Sequence, residues 1–279
     1  MALRGITPDK IQKRFKAFLY GKAGVGKTTA AIQFPSPYLI DTEKGAENDQ
    51  YVELIKKNNG NIYQTSQFED LLIEVKALAT EKHEFKTLII DPITIIYDNL
   101  LEDMENIHGN QFGKHYGAAN KKMKSLIRWL LRLDMNVIMT AHAKNEYAEG
   151  MALIGQTFSG YKDLPYVFDL CMEVKAVGKT RKAFIVKTRI ASFELFEEIP
   201  YSYEEISKRY QNKSLEKKCV QILLATPEQI RELYYYIELL NIPPETVSKW
   251  LKKADVESFE EMESELIQKC IDSLKDKLK

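Results

Sequence analysis

The sequence predicts an α/β fold with a mostly parallel central sheet flanked by helices, followed by a small C-terminal helical module. Three observations carry this expectation. Short apolar runs alternate with helix-periodic segments through the first two-thirds of the chain, as in layered α/β folds. Some runs, such as TLIID (87–91), are of the buried-strand type. Near residue 211 the strand-like runs stop, and three short helical patterns follow.

In chain order, KAFLY (16–20) is the first candidate strand and leads into YGKAGVGKTTA (20–30). PYLIDTE (37–43) is the second strand and NIYQT (61–65) a weaker third. FEDLLIEVKALATEK (68–82) has apolar residues at helical spacing, with Ser66 as its N-cap. KTLIID (86–91) is a buried strand ending in an acid, and a helical region covers 93–107. HGNQFGKHYGAAN (108–120) reads as a loop, KKMKSLIRWLLRLDM (121–135) as an amphipathic helix and NVIMTAH (136–142) as a strand. After a glycine-spaced loop, DLCMEVKAV and KAFIVKTRI form a hairpin with GKTR at the turn.

Residues 1–210 are expected to form the core, 211–225 a linker, and 226–279 a three-helix module. Thr226 caps the module's first helix, with Pro227 at the first helical position and Glu228 and Gln229 in the first turn. NIPPE separates the first two helices, and Ser258 is expected to cap the third.

Composition excludes some partners on global grounds. Forty basic residues offset forty acidic ones, so any nucleic-acid or membrane contact needs a local patch. Cys171, Cys219 and Cys270 match no zinc or disulfide spacing, which suits a reducing compartment. No apolar stretch has the length of a signal peptide or a bilayer span. A cytoplasmic location without membrane contact is the expectation.

The run at 20–30 fits G-x-x-x-x-G-K-[ST] as Gly21, Gly26, Lys27 and Thr28. It lies between a strand and a helix start. Its glycines let backbone N–H groups converge on phosphate oxygens, and the helix N-terminus adds its dipole. Gly21, Ala23, Gly24, Val25, Gly26, Lys27, Thr28 and Thr29 are therefore the candidate nucleotide-binding residues. Lys27 reaches the β- and γ-phosphates, and Thr28 faces Mg²⁺. Asp91, behind a buried strand, is the second candidate metal group, although an acid there could also simply cap the next helix. ATP and Mg²⁺ are the expected cofactors. Asp41 and Glu43 end the second strand, which a parallel sheet is expected to set beside the first. Glu43 is the candidate general base, with a solvated loop acid as the bland alternative.

With these motifs, residues 16–190 resemble the RecA/KaiC-type ATPase core. The resemblance implies that Glu43, two residues after Asp41, activates water. It implies a γ-phosphate sensor on the strand after the metal strand, for which VIMTAH offers Thr140 and His142. His142 could equally be an ordinary loop histidine. IVKTRI carries Lys187 and Arg189, similar to the cation pair that RecA-like and DnaB-type ring ATPases extend to a neighbour's γ-phosphate. An edge strand protected by charge is the alternative.

RecA-like cores bind single-stranded DNA through two loops. One candidate here is 108–124, with Lys114, Tyr116, Lys121 and Lys122 as the contact residues; cations beside aromatics suit phosphates and bases. These lysines could also be the wet face of the next helix. The other candidate is 144–165, spaced by Gly150, Gly155 and Gly160.

The chain most resembles the phage-encoded RecA-like single-strand annealing ATPases of the Sak class. That resemblance implies an oligomeric, DNA-stimulated recombination ATPase in a host cytoplasm. Its partners would be single-stranded DNA, further copies in a ring or filament and, through the C-terminal module, a single-strand DNA-binding or other recombination protein. A translocating helicase motor and a nucleotide-dependent scaffold are the alternatives. A metabolic kinase fits less well, because residues 108–165 hold only Arg128 and Arg132 to form a lid.

Overall fold

The computed structural model describes residues 14–45, 49–147, 153–210 and 212–278. The N-terminal stretch through Lys13, Gly150 of the second candidate DNA loop, and Gln211 of the expected linker lie outside them.

The first strands are β1 (Lys16–Gly21), β2 (Pro37–Asp41), β3 (Asn61–Gln64), β4 (Thr87–Asp91) and β5 (Asn136–Tyr147). They are followed by β6 (Leu153–Phe158), β7 (Leu170–Val177), β8 (Thr180–Thr188) and β9 (Glu198–Pro200). One sheet runs in the order β3-β2-β4-β5-β1-β7-β8-β9, with β6 paired to β5. The pairs from β3 across to β7 are parallel, whereas β7–β8, β8–β9 and β5–β6 are antiparallel. The sheet is therefore mostly parallel, as expected. Its central strands are covered on both faces: Phe18, Leu19, Leu88, Ile89, Ile138 and Met139 are all buried.

The strand order corrects one expectation. β2 does not flank β1, because β4 and β5 lie between them. Asp41 instead pairs in register with Asp91 of β4.

The helices before β5 are α1 (Lys27–Ala31), α2 (Asp49–Lys57), α3 (Phe68–Thr80), α4 (Ile93–His108) and α5 (Lys114–Arg132). At the start of α3 it is Thr65, not Ser66, whose hydroxyl accepts from the backbone N–H of Gln67, at 3.0 Å. The expected loop 108–120 is largely helix. Gly113, with φ 67°, opens α5, and the helix passes through Gly117 because His115 and Ala119 bury its inner face. The glycine-spaced loop after residue 142 is also corrected: β5 runs on to Tyr147, and β6, including Gly155, pairs back onto it.

Later helices are α6 (Leu164–Val167), α7 (Tyr203–Tyr210), α8 (Asn212–Leu215), α9 (Pro227–Leu239), α10 (Pro244–Ala254) and α11 (Ser264–Lys275). The chain divides into two compact units. The first combines residues up to Val75 with His83–Cys219, and the second combines Lys76–Lys82 with Val220 onward. Within the first, buried Arg14 pairs with Asp134 at 2.8 Å and donates to the carbonyls of Lys217 and Lys218. That fastens part of the segment expected to be a linker.

The second unit packs around Leu233, Phe259, Met262, Ile267, Ile271 and Leu274. Thr226 and Gln229 cap α9 reciprocally, in the capping-box manner. Ser258, expected to cap the third helix, precedes only a short 3₁₀ turn, Phe259–Glu261, and makes no side-chain capping bond; α11 begins later, at Ser264. No described helix is long and apolar enough to cross a membrane.

Candidate functional site

The loop between β1 and α1 is shaped by its glycines. A Cβ on Gly21 would lie 2.4 Å from the carbonyl oxygen of Val174 in β7. Gly26 caps α1 at φ 90°, in the left-handed region. Ala23, Gly24, Gly26, Lys27 and Thr28 line one wall of a cleft of about 250 Å³, and Val25 is buried behind them. Lys27 is buried, and its ammonium donates to the carbonyls of Gly21 (2.9 Å) and Lys22 (3.0 Å). Burial lowers its pKa below the ordinary 10.5, opposed by the charges of Asp91 and Glu43. Thr29 continues α1.

Asp91 joins the loop to the sheet. The Thr28 hydroxyl donates to one of its carboxylate oxygens, and the Thr140 hydroxyl, from β5, donates to the other. Thr140 is fully buried. This contact depends on β5 lying beside β4.

Glu43 reaches the same cleft because the end of β2 is tied to the end of β4. The backbone N–H of Thr42 donates to the carbonyl of Asp91 at 3.0 Å, and the Thr42 hydroxyl donates to the carbonyl of Pro92 at 2.8 Å. Asp41 accepts from the backbone N–H groups of Glu43 and Gly45, both at 3.2 Å, which folds the strand end inward. The Glu43 carboxylate lies 3.0 Å from His142 Nε2, and both side chains are well exposed. His142 is held in turn by buried Thr94, whose hydroxyl accepts from the His142 backbone N–H and donates to the carbonyl of Ser159. Asp41, Glu43, Asp91 and His142 all line the cleft.

A glycine-shaped loop leading into α1 thus faces a hydroxyl–carboxylate–hydroxyl relay and an exposed carboxylate. Residues 13–198 match the family AAA_24, described as an AAA domain. The chain belongs to the AAA_24 family. The AAA_24 match makes it a P-loop NTPase, with nucleotide binding implied. No curated protein matches the sequence. Among solved structures, the RadB recombinase is similar at 18% identity, covering 66% of this chain and 84% of that one, with a TM-score of 0.44. A DnaB-like replicative helicase is similar at 12% identity, covering 63% and 54%, with a TM-score of 0.43.

Other candidate residues of the AAA_24 chain lie away from the cleft. Lys187 is level with Cys171, which is level with Phe18, about 10 Å down the sheet from Gly21. Its ammonium donates to the carbonyls of Pro165 (2.5 Å) and Phe168. Arg189 donates to the Tyr166 carbonyl at 2.9 Å and faces Asp169 at 3.7 Å. Both cations therefore occupy the end of the sheet opposite their own phosphate loop. Lys114, Tyr116, Lys121 and Lys122 are on helix α5 rather than on a loop. Lys122 pairs with Glu69 and lies over the Phe68 ring, while Lys114, Tyr116 and Lys121 are exposed.

Two neighbours of the loop have no motif to announce them. Arg181, read from sequence as part of a turn, is the second residue of β8, because the turn closes with only Gly178 and Lys179 between the strands. Its side chain packs on Gly26, where a Cβ would lie 3.0 Å from Nε. Tyr201 is buried, and its hydroxyl donates to the Lys27 carbonyl at 3.0 Å. Burial pushes its pKa well above 10. Nothing in the spacing of either residue points to the site.

Proposed function

We propose that this chain binds and hydrolyses ATP as an assembled, RecA-like recombination protein that holds single-stranded DNA and supports annealing or strand pairing. The observation that carries the hydrolytic part is the meeting of Thr28 and Thr140 on Asp91, with Lys27 behind and Glu43 at the mouth. Lys27 and the α1 N-terminus hold the phosphates. Glu43 takes the proton of the attacking water, and His142, 3.0 Å from it, orients that carboxylate. Thr140 couples the loop to β5.

Mg²⁺ fits the donors present, since the Thr28 hydroxyl and the Asp91 carboxylate converge where a nucleotide-bound ion needs oxygen ligands. When bound, it would neutralise charge on the phosphates. Lys187 and Arg189, remote from their own loop, suit delivery to the loop of a second copy. The DNA part rests on the RecA/KaiC-type resemblance, and the exposed Lys114, Tyr116 and Lys121 offer cations beside an aromatic ring.

ATP turnover measured with and without single-stranded DNA, across a range of protein concentration, tests this reading. Specific activity is expected to rise with concentration and with DNA. Turnover indifferent to DNA, with no DNA retained in ATP, would remove the recombination role. Directional strand displacement would indicate a translocating motor instead.

A further inference from the structure

We propose that the C-terminal unit carries a docking cleft for an acidic peptide segment of a partner protein, anchored by a bulky apolar side chain. The cleft has a volume of about 380 Å³ and lies between the end of α10 and one face of α11, entirely inside the second unit. That volume is in the range of pockets that bury a ligand group, about 300–1,000 Å³.

Its apolar lining comes from Trp250, Met262, Leu266 and Leu274. Leu266 is 41% exposed and Trp250 only partly covered, so these two are open to an incoming side chain, while Met262 and Leu274 are buried at the base. Three lysines, Lys253, Lys269 and Lys277, also line the cleft and are exposed. Among the described residues, none of the three is held in an ion pair.

This charge arrangement runs against the composition of the unit. Residues 227–279 hold 12 acidic and 8 basic residues, yet only lysines represent charge in the cleft lining. The periodicity of α11 explains the separation. Leu266, Lys269, Cys270 and Ser273 recur at i, i+3, i+4 and i+7 and form one face. Glu265 and Asp272 fall roughly 90° and 110° from the centre of that face.

Charge complementarity selects the occupant. An apolar lining takes a Leu- or Phe-like anchor, and lysines around it take carboxylates flanking that anchor. A nucleic-acid backbone needs a continuous basic track, which a net-acidic unit does not provide. A short peptide is sensed mainly within a Debye length, about 8 Å, and the charged residues that line the cleft are the three lysines. The cleft does not depend on the nucleotide reading.

Selection of a random nine-residue peptide library on the intact chain tests the proposal. Enrichment of Asp or Glu around one Leu, Ile or Phe is expected. The enriched peptide should change Trp250 fluorescence on binding, and its Asn/Gln analogue should bind about ten-fold more weakly. Lys253→Glu with Lys269→Glu should weaken the peptide about ten-fold or more, leaving ATP binding and melting unchanged. Leu266→Asp should abolish binding, and the exposed lysine pair keeps the test sound if that variant misfolds. Absent enrichment, enrichment without acids, or binding indifferent to the lysine reversal would overturn the proposal. So would self-association lost on lysine reversal, which makes the occupant a second copy, or a matching loss of oligonucleotide affinity, which makes it nucleic acid.

Discussion

Tyr201→Phe removes a single oxygen from the wall behind the phosphate loop. The Tyr201 ring is 5% exposed, and its hydroxyl donates to the Lys27 carbonyl across 3.0 Å. Phe preserves the ring and its packing, so the loss is one buried hydrogen bond, about 1 kcal/mol net and up to about 3 if the acceptor is left unsatisfied. Lys27 is the first residue of α1, and its carbonyl keeps a helical partner four residues on. The lower figure is therefore expected. In a domain of this size class that is a fall of about 2–4 °C in Tm. The same residue carries the ammonium that spans the loop to Gly21 and Lys22. Loosening its backbone should weaken ATP about three- to five-fold, a little under 1 kcal/mol. Calorimetric melting without nucleotide reads the first effect, and titration calorimetry with ATP reads the second. A Tm within about 1 °C of the parent together with an unchanged Kd would refute the reasoning. A lower Tm with an unchanged Kd would refute the coupling of Tyr201 to the phosphate site.

Three further outcomes follow from the site. Glu43→Gln should slow ATP turnover by about 10²- to 10⁴-fold while the ATP Kd stays within about two-fold; single-turnover and binding measurements separate the two, and a variant with parental turnover would exclude Glu43 as base. Arg181→Ala should weaken ATP about three- to ten-fold by freeing Gly26, with circular dichroism unchanged; parental affinity would reduce Arg181 to a passive neighbour. Burial holds Lys27 below its ordinary 10.5, and bound phosphates raise it again. ATP binding should therefore take up protons in the window between the lowered and the raised value, and affinity should fall as pH rises through that window. Titrations in two buffers of different ionisation heat check this, since identical heats on the alkaline side would mean no proton uptake.

What could be read from sequence is what local chemistry fixes. Gly21 to Thr28 form one contiguous cradle whose residue types are set by phosphate geometry. Asp91 ends a run of buried-strand residues, and the structure joins it to Thr28. Strand order is not local. β5 enters between β1 and β4, and the order depends on contacts among strands far apart in sequence, so the distance from β2 to β1 could not be read from β2. The start of α5 was hidden because Gly113 and Gly117 look like loop residues, whereas Gly113 acts as a left-handed cap and buried His115 and Ala119 hold the following turn. The same logic hid Arg181. Its role depends on a turn of only two residues, which carries it into β8 and onto Gly26. The sequence sets the third helix of the module too early because Ser258 is a favourable cap residue, but here it precedes only a short 3₁₀ turn and makes no side-chain capping bond.

The charges around the cleft bear on how such a site could be completed. Its lining holds Asp41, Glu43 and Asp91 against one lysine, Lys27. A triphosphate adds negative charge to that set. The α1 N-terminus and a divalent ion offset part of it, but the developing charge at the γ-phosphate needs further cations. Lys187 and Arg189 cannot serve their own loop, since they lie about 10 Å and about 17 Å down the sheet from Gly21. We therefore expect them to act on a second copy, through a head-to-tail contact that pairs one subunit's loop with another's cations. A mixing experiment isolates this. Lys27→Ala removes the loop's ammonium, and Lys187→Ala with Arg189→Ala removes the donated cations, so each protein alone should be inactive. Mixed in equal amounts, about a quarter of randomly formed interfaces join an intact loop to an intact cation pair, and ATP turnover should recover to about that fraction. No recovery, in mixtures that co-assemble by sedimentation, would overturn the assignment of these cations to a second copy.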